Sequence, residues 1–163
     1  CFLEFDDPDR LESQRLMLQR LFNCPVLPGE QPLHHTVREQ LDQYFSGERQ
    51  VFSLPLAYPG SNFQQRVWRS LLQIPYGSTR SYEEIARQIS APRAVRAVGT
   101  ANGRNRLAIL IPCHRVVRSA GSLGGYQGGL KMKRALLEME GIPLHDTGQV
   151  ATGDFFYREE ASV

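Results

Sequence analysis

Apolar residues fall at helical spacing in successive segments of this 163-residue chain, with prolines and glycines marking the gaps between them. Phe2 to Phe5 reads like the end of a strand. Asp7-Pro8 then supplies an N-cap and a first-turn proline for a helix to near Asn23 that carries Leu11, Leu18, Leu21 and Phe22 on one side. Cys24 to Pro32 holds Pro25, Pro28, Gly29 and Pro32 and is a loop. A second helix is predicted from His34 to Phe45, with Val37, Leu41, Tyr44 and Phe45 at helical spacing and Gly47 just past its end. An extended piece, Val51 to Leu56, leads to Tyr58-Pro59-Gly60, where a domain boundary is expected.

Helix signals are denser beyond that boundary. Ser61 or Asn62 can cap a helix from Phe63 to about Leu72 that turns Phe63, Val67, Trp68 and Leu71 inward and stops at Pro75-Tyr76-Gly77. Ser81-Tyr82-Glu83-Glu84 has the spacing of a capping box and opens a short helix to Ile89. Ser90-Ala91-Pro92 restarts the chain, with Pro92 at the first position of a helix to about Asn102. That helix bears Arg93, Arg96 and a small-residue face of Ala94, Ala97, Gly99 and Ala101. Two short helices joined by a turn of roughly three or four residues fit a helix-turn-helix, and fit any helical hairpin as well. A strand-sized apolar run, Leu107 to Ile111, precedes Pro112-Cys113-His114-Arg115, a glycine-rich turn from Gly121 to Gly129, and a last helix from Leu130 to Glu140 closed by Gly141. The pattern divides the chain into a small domain over 1–60, a second over 61–142 and a tail over 143–163, where Phe155-Phe156-Tyr157 could add a docked strand.

A 41 % hydrophobic, 22 % charged composition is that of a chain with a core, not of a disordered tail. No apolar run approaches the ~18 to 20 residues of a membrane span. The net charge of +2 conceals net −4 over residues 1–63, +9 over 64–140 and −3 over 141–163. A strongly basic segment between acidic ones is the footprint of a domain that meets a polyanion, most often nucleic acid, although a solvated basic face looks the same. Cys1, Cys24 and Cys113 are odd in number and far apart, which argues against a disulfide scaffold and for a reducing compartment. The opening residues carry no leader and suggest that a longer chain continues upstream. Cys1, Cys24, His34 and His35 are metal-ligand types, but no CxxC or HxxxH spacing joins them, and no metal is expected.

Cys113 follows an apolar run and is succeeded at once by His114 and Arg115. A thiol attacks only as thiolate, and adjacent basic groups favour that form. Free cysteine is also among the most buried residue types, and neighbours on an extended chain face opposite ways, so adjacency alone leaves both readings open.

Ile111-Pro112-Cys113-His114-Arg115-Val116-Val117 resembles the active-site signature of the O6-alkylguanine-DNA alkyltransferase (methylated-DNA-protein-cysteine methyltransferase) family. The likeness extends from Asn62 to Gly141 through Phe63-Gln64-Gln65-Arg66-Val67-Trp68, Ile74-Pro75-Tyr76-Gly77, Ser81-Tyr82, Arg96-Ala97-Val98-Gly99, Asn105, Gly124 to Leu130, Leu136-Leu137 and Glu140. Pro92 to Val98 is most similar to the alkyltransferase half of bacterial Ada-type regulators. The resemblance implies a small α/β, ribonuclease H-like first domain with its first strands missing, then a mostly helical domain with a winged-helix-like helix-turn-helix.

It further implies repair of double-stranded DNA by one irreversible transfer of the alkyl group from O6-alkylguanine, and less well from O4-alkylthymine, to Cys113. The nucleotide must first be rotated out of the stack. By resemblance Arg96 fills the vacated position, while Ala97 and Gly99 let the helix approach the minor groove, with Arg93, Tyr82 and Arg115 also on the DNA. Tyr82 serves guanine N3, His114 acts on the thiol through a water, Glu140 orients His114, and Asn105 ties the helix pair to the active-site segment. Backbone groups from Cys113 to Val116 and a wall of Tyr126, Gln127, Gly128 and Gly129 form the pocket. Gln127 stands where the family often has a small hydroxyl residue, which bears on bulky alkyl groups. The resemblance calls for no cofactor, and for a monomer acting on DNA in the bacterial cytoplasm, with a regulatory domain upstream if the parent is Ada-type. Two other readings predict different outcomes. A non-catalytic lesion binder or helix-turn-helix regulator would lack the cysteine, and a Cys-His hydrolase would place a helix N-terminus after it.

Overall fold

Six α-helices and one two-stranded parallel sheet form among residues 3–5 and 8–150, the residues described by the computed structural model. Contacts divide the chain into one unit of Cys1–Tyr58 with Arg106–Leu110 and another of Pro59–Asn105 with Ile111–Val163. The expected cap at Asp7, the start of the strand at Phe2 and the Phe155 to Tyr157 segment lie outside the described residues.

The first unit contains α1 (Pro8–Phe22) and α2 (Pro32–Phe45). Leu18 and Tyr44 are buried, whereas Leu21 and Phe22, expected inward, are about half exposed. Phe22 instead lines an open apolar groove of about 800 Å³ with Leu33, Phe45 and Leu54. The stretch Val51 to Leu56 pairs with no strand. The buried Gln40 holds it, donating from Nε2 to Ser53 Oγ at 3.1 Å and accepting the Ser53 N–H at 2.9 Å.

Leu107 to Ile111 is not the strand that its apolarity suggested. Leu107 makes a single parallel bridge to Leu3, and the chain then turns, with Ile109 at φ 70°. Apolar side chains report burial, and these residues are buried, but so short a run does not specify an extended backbone. Left-handed backbone at a β-branched residue is strained and persists only where its surroundings fix it.

In the second unit, α3 (Asn62–Leu71) starts at a capping box: Gln64 N–H donates to Ser61 Oγ at 3.3 Å, and Ser61 N–H to Gln64 Oε1 at 2.9 Å. It buries Val67, Trp68 and Leu71, and the indole N–H donates to the Ala101 carbonyl at 3.0 Å. Gly60 is the lid over that indole, since a Cβ there would stand 2.6 Å from Trp68 Cζ3. Gly60→Ala is therefore expected to cost about 1 to 3 kcal/mol through overpacking, read as a lower urea midpoint at unchanged m.

β1 (Arg80–Ser81) pairs with β2 (Val116–Val117), Arg80 opposite Val116 and Ser81 opposite Val117. Ser81 then caps α4 (Tyr82–Gln88), with Glu84 completing the box. The second helix of the pair, α5 (Val95–Gly103), begins later than expected. Ala94 N–H bonds the Ala91 carbonyl at 2.8 Å and closes a turn around Pro92 and Arg93. Proline's fixed φ suits such a turn as well as a helix start, so Arg93 sits in the connection and not on the helix. α5 packs on both α3 and α4. A 3₁₀ turn over Cys113–Arg115 precedes β2, and α6 (Gly129–Met139) closes the unit. No helix among the described residues is long and apolar enough to cross a membrane.

Candidate active site

The 3₁₀ turn buries three successive side chains, the first against Asn105 and the next two against Glu140. Cys113 is 2 % exposed, and its Sγ accepts from Asn105 Nδ2 at 3.0 Å. The same amide nitrogen donates to the Ile111 carbonyl at 2.8 Å, which fixes its direction. A donor aimed at sulfur stabilises thiolate over thiol. One turn back on α5, Asn102 Nδ2 donates to the Cys113 carbonyl at 3.3 Å. The cysteine is thus held by two side-chain amides, Asn102 in the last turn of α5 and Asn105 just beyond its end.

His114 is fully buried, with Nε2 2.9 Å from Glu140 Oε1. Burial pushes the imidazole below its usual range. Glu140 opposes that shift, while the charges of Arg115 and Lys133 add to it, so the ring is neutral at neutral pH. A neutral ring that donates from Nε2 to the carboxylate keeps its lone pair on Nδ1, which has no hydrogen-bond partner among the described residues. Burial by itself would raise the Glu140 carboxyl. Hydrogen bonds from His114 and Arg115, with their charges, outweigh it and hold the group at about 2.

Arg115 is where the structure corrects the sequence reading. It was expected on DNA, but its guanidinium grips Glu140 through Nε and Nη2, both at 2.9 Å, and gives Nη1 to the Ile74 carbonyl at 2.7 Å. The residue is 6 % exposed. A guanidinium fork matches a carboxylate in two bonds, and a buried carboxylate shared with a neutral histidine requires such a cation.

Tyr82 opens α4 and packs between two glycines. A Cβ on Gly124 would lie 3.2 Å from the phenol oxygen and one on Gly99 3.8 Å from the ring, with Gly124 at φ 67°. Burial first, and then the charge at Cys113, push the phenol up, with Arg118 opposing, so it remains a proton donor at neutral pH. A pocket of about 530 Å³ opens beside it, bounded by Arg96, Asn102, Arg118, Tyr126 and Gln127. That volume lies in the range that suits a small organic group.

The other predicted residues are distributed unevenly. Arg93, Arg96 and Ala97 are exposed, and Ala97 faces a separate small hollow with Phe63 and Arg104. Gln127 reaches across to hydrogen-bond the Gly103 carbonyl. Gly128 and Gly129 start α6, and neither they nor Val116 bound the pocket. The Val116 carbonyl is instead taken at 2.5 Å by Lys133 Nζ, which also bonds the Leu123 carbonyl. Lys133 is fully buried, and desolvation lowers its ammonium to about 8 against the pull of the Cys113 charge. Sequence reasoning missed Lys133 and Asn102. The available signal was a lysine on the same face of α6 as Leu136, Leu137 and Glu140.

Residues 62–142 match the family model described as "6-O-methylguanine DNA methyltransferase, DNA binding domain". The methylated-DNA–protein-cysteine methyltransferase of Mycobacterium tuberculosis is 60 % identical over 102 residues, covering 63 % of this chain and 62 % of that protein. The constitutive enzyme of that name from Bacillus subtilis is 50 % identical over 114 residues, 69 % of each chain. A crystal structure of Mycobacterium tuberculosis OGT in complex with DNA superposes with a TM-score of 0.64 at 57 % identity, covering 65 % of each chain. The chain belongs to the methylated-DNA–protein-cysteine methyltransferase family. It spans about three-fifths of the length of the mycobacterial relative that it matches.

Proposed function

We propose that this protein repairs double-stranded DNA by moving the alkyl group of O6-alkylguanine, and less efficiently of O4-alkylthymine, onto Cys113. The observation that carries the reading is a buried sulfur held by Asn105, beside a histidine whose tautomer is set by Glu140 and a pocket edged by Tyr82. The thiol proton leaves to His114 Nδ1 through a water, and the thiolate attacks the alkyl carbon. The new C–S bond forms as the C–O6 bond breaks, and the electron pair withdraws into the purine, where Tyr82 meets the charge at N3. The thioether has no leaving group that water can displace under these conditions, so each molecule acts once. No cofactor enters this balance.

The basic exposed face that includes Arg93 and Arg96 supports duplex binding, and Arg96 at the pocket edge supports insertion where the base stood. The α4–α5 pair is read as a winged-helix-like helix-turn-helix, and the first unit as ribonuclease H-like. A single chain contains every proposed group, which fits a monomer acting on cytoplasmic DNA, where thiols stay reduced.

Incubation with duplex carrying O6-methylguanine should add one methyl group, found on the Cys113 peptide by mass spectrometry; an unmodified Cys113, or repeated turnover, overturns the reading. Arg96→Ala should slow transfer from duplex tenfold or more while sparing transfer from single strands, because unstacking costs a few kcal/mol only in the duplex. Equal duplex rates for the two proteins would remove Arg96 from extrusion.

A further inference from the structure

The turn between α3 and β1 grips the buried Arg115–Glu140 pair at four points. Ile74 offers its carbonyl to Arg115 Nη1 at 2.7 Å, and the Tyr76 ring faces the same guanidinium, with Arg115 Cζ 5.8 Å from the ring centroid. The Tyr76 hydroxyl donates to the Met139 carbonyl at 3.0 Å, and the Gly77 N–H points to Glu140 Oε2 at 3.5 Å. Met139 is the last residue of α6, so its carbonyl lacks a partner within the helix, and Tyr76 supplies one where a helix end would otherwise fray. Glycine suits position 77, where φ is 72° and a Cβ would stand 3.2 Å from the Glu140 carbonyl oxygen. Arg115 and Glu140 are 6 % and 3 % exposed, whereas Tyr76 is half-buried, so its ring is the part of the group that meets water.

An aromatic face attracts a guanidinium, and more strongly where water is kept away. Without the ring, Arg115 can turn toward solvent, and without the hydroxyl the end of α6 that leads into Glu140 loosens as well. Glu140 sets the His114 tautomer, so slack in the carboxylate passes to the ring nitrogen that receives the thiol proton. Resting on the alkyl-transfer reading above, we propose that Tyr76 is a positioning residue for that reaction: holding Arg115 with its ring and Met139 with its hydroxyl, it keeps Glu140 in line with His114. Tyr76 does not bound the pocket beside Tyr82 and belongs to neither helix of the α4–α5 pair, so its effect falls on proton transfer and not on DNA binding. The Arg115 charge disfavours a second proton on His114, and Glu140 favours it. Loosening Arg115 tips that balance toward the protonated ring. The other groups around His114 stay in place: Lys133, which also disfavours that proton, the Tyr126 ring and the Cys113 thiol.

The test is single-turnover methyl transfer to Cys113 from duplex carrying O6-methylguanine, measured against DNA concentration and pH for wild type, Tyr76→Leu and Tyr76→Phe. Tyr76→Leu should lower the rate at saturating DNA about tenfold, leave the half-saturating DNA concentration within about twofold, and move the acid limb of the pH profile to higher pH. Tyr76→Phe keeps the ring over Arg115 and loses only the Met139 bond. It should fall between, about threefold slower than wild type and with a smaller shift of the limb. A residue that only fills space would slow transfer without moving the limb. An unchanged rate in both variants, a loss confined to DNA affinity, or a slower rate with the acid limb in place each overturns the assignment. Urea midpoints check that the variants are folded, and if Tyr76→Leu does not fold, Tyr76→Phe decides on the same readouts. Failure of the wild type to methylate Cys113 from O6-methylguanine would overturn the repair reading itself, a result separate from any difference between wild type and variants.

Discussion

Cys113→Ala should abolish alkyl transfer and still bind lesion-bearing duplex. The sulfur is the group in the site that can attack an alkyl carbon as an anion, since Asn105, Asn102 and Arg115 are held in hydrogen bonds and the free lone pair of His114 takes up the thiol proton. Cys24 is exposed in the other unit and has no comparable donor set, so it offers no substitute acceptor. Removing one small buried group costs the fold about 1 kcal/mol, too little to unfold it. Cys113→Ser sharpens the result: the hydroxyl can keep the Asn105 hydrogen bond, but its much higher pKa leaves no anion to attack. Labelled methyl transfer and electrophoretic mobility shift measure the two properties separately. Label on either variant would show that the acceptor lies elsewhere, and loss of binding together with transfer would tie Cys113 to recognition. A lesion-binding module without transfer would predict no difference between wild type and variant in either assay.

Local chemistry explains which features were readable in advance. The starts of α3 and α4 were legible because Ser61 and Ser81 each carry their own box partner three residues on. The start of α5 was not, because Pro92 serves a turn as readily as a first helical turn, and the Ala91–Ala94 bond that decides between them leaves no mark in composition. Leu107 to Ile111 announced burial correctly and geometry wrongly, since φ at Ile109 is imposed by its surroundings. Within the site, the Cys113 motif located the nucleophile, but the role of Arg115 depended on a carboxylate 25 positions away. Beside a reactive cysteine, an arginine reads as a solvent cation until Glu140 is folded against it. Lys133 escaped notice for the opposite reason: lysine is read as surface, and its burial becomes intelligible only when the carbonyls of Val116 and Leu123 are seen to receive it.

Glu140→Gln should damage rate and stability together, with a pH signature that separates charge from shape. The amide has the carboxylate's size, but it replaces one of two acceptor oxygens with a donor. His114 Nε2 and the Arg115 fork both require acceptors, so one of them must face an N–H. An Arg115 charge left without its partner in a buried site costs about 3 to 5 kcal/mol. A His114 ring no longer held in one tautomer loses its alignment as base, worth about 10²-fold or more in transfer. The carboxyl is held at about 2 in the folded protein, against about 4.3 for an unperturbed glutamate. A depressed folded pKa gives stability that is complete above the unfolded value and is lost as pH falls through the folded one. The stability gap between wild type and Glu140→Gln should therefore be full at pH 7 and shrink between about pH 5 and pH 2, as read from urea midpoints. A gap that stays constant across that range would mean that the glutamine fails by packing, and that the Glu140 charge is not what holds His114 and Arg115 in place.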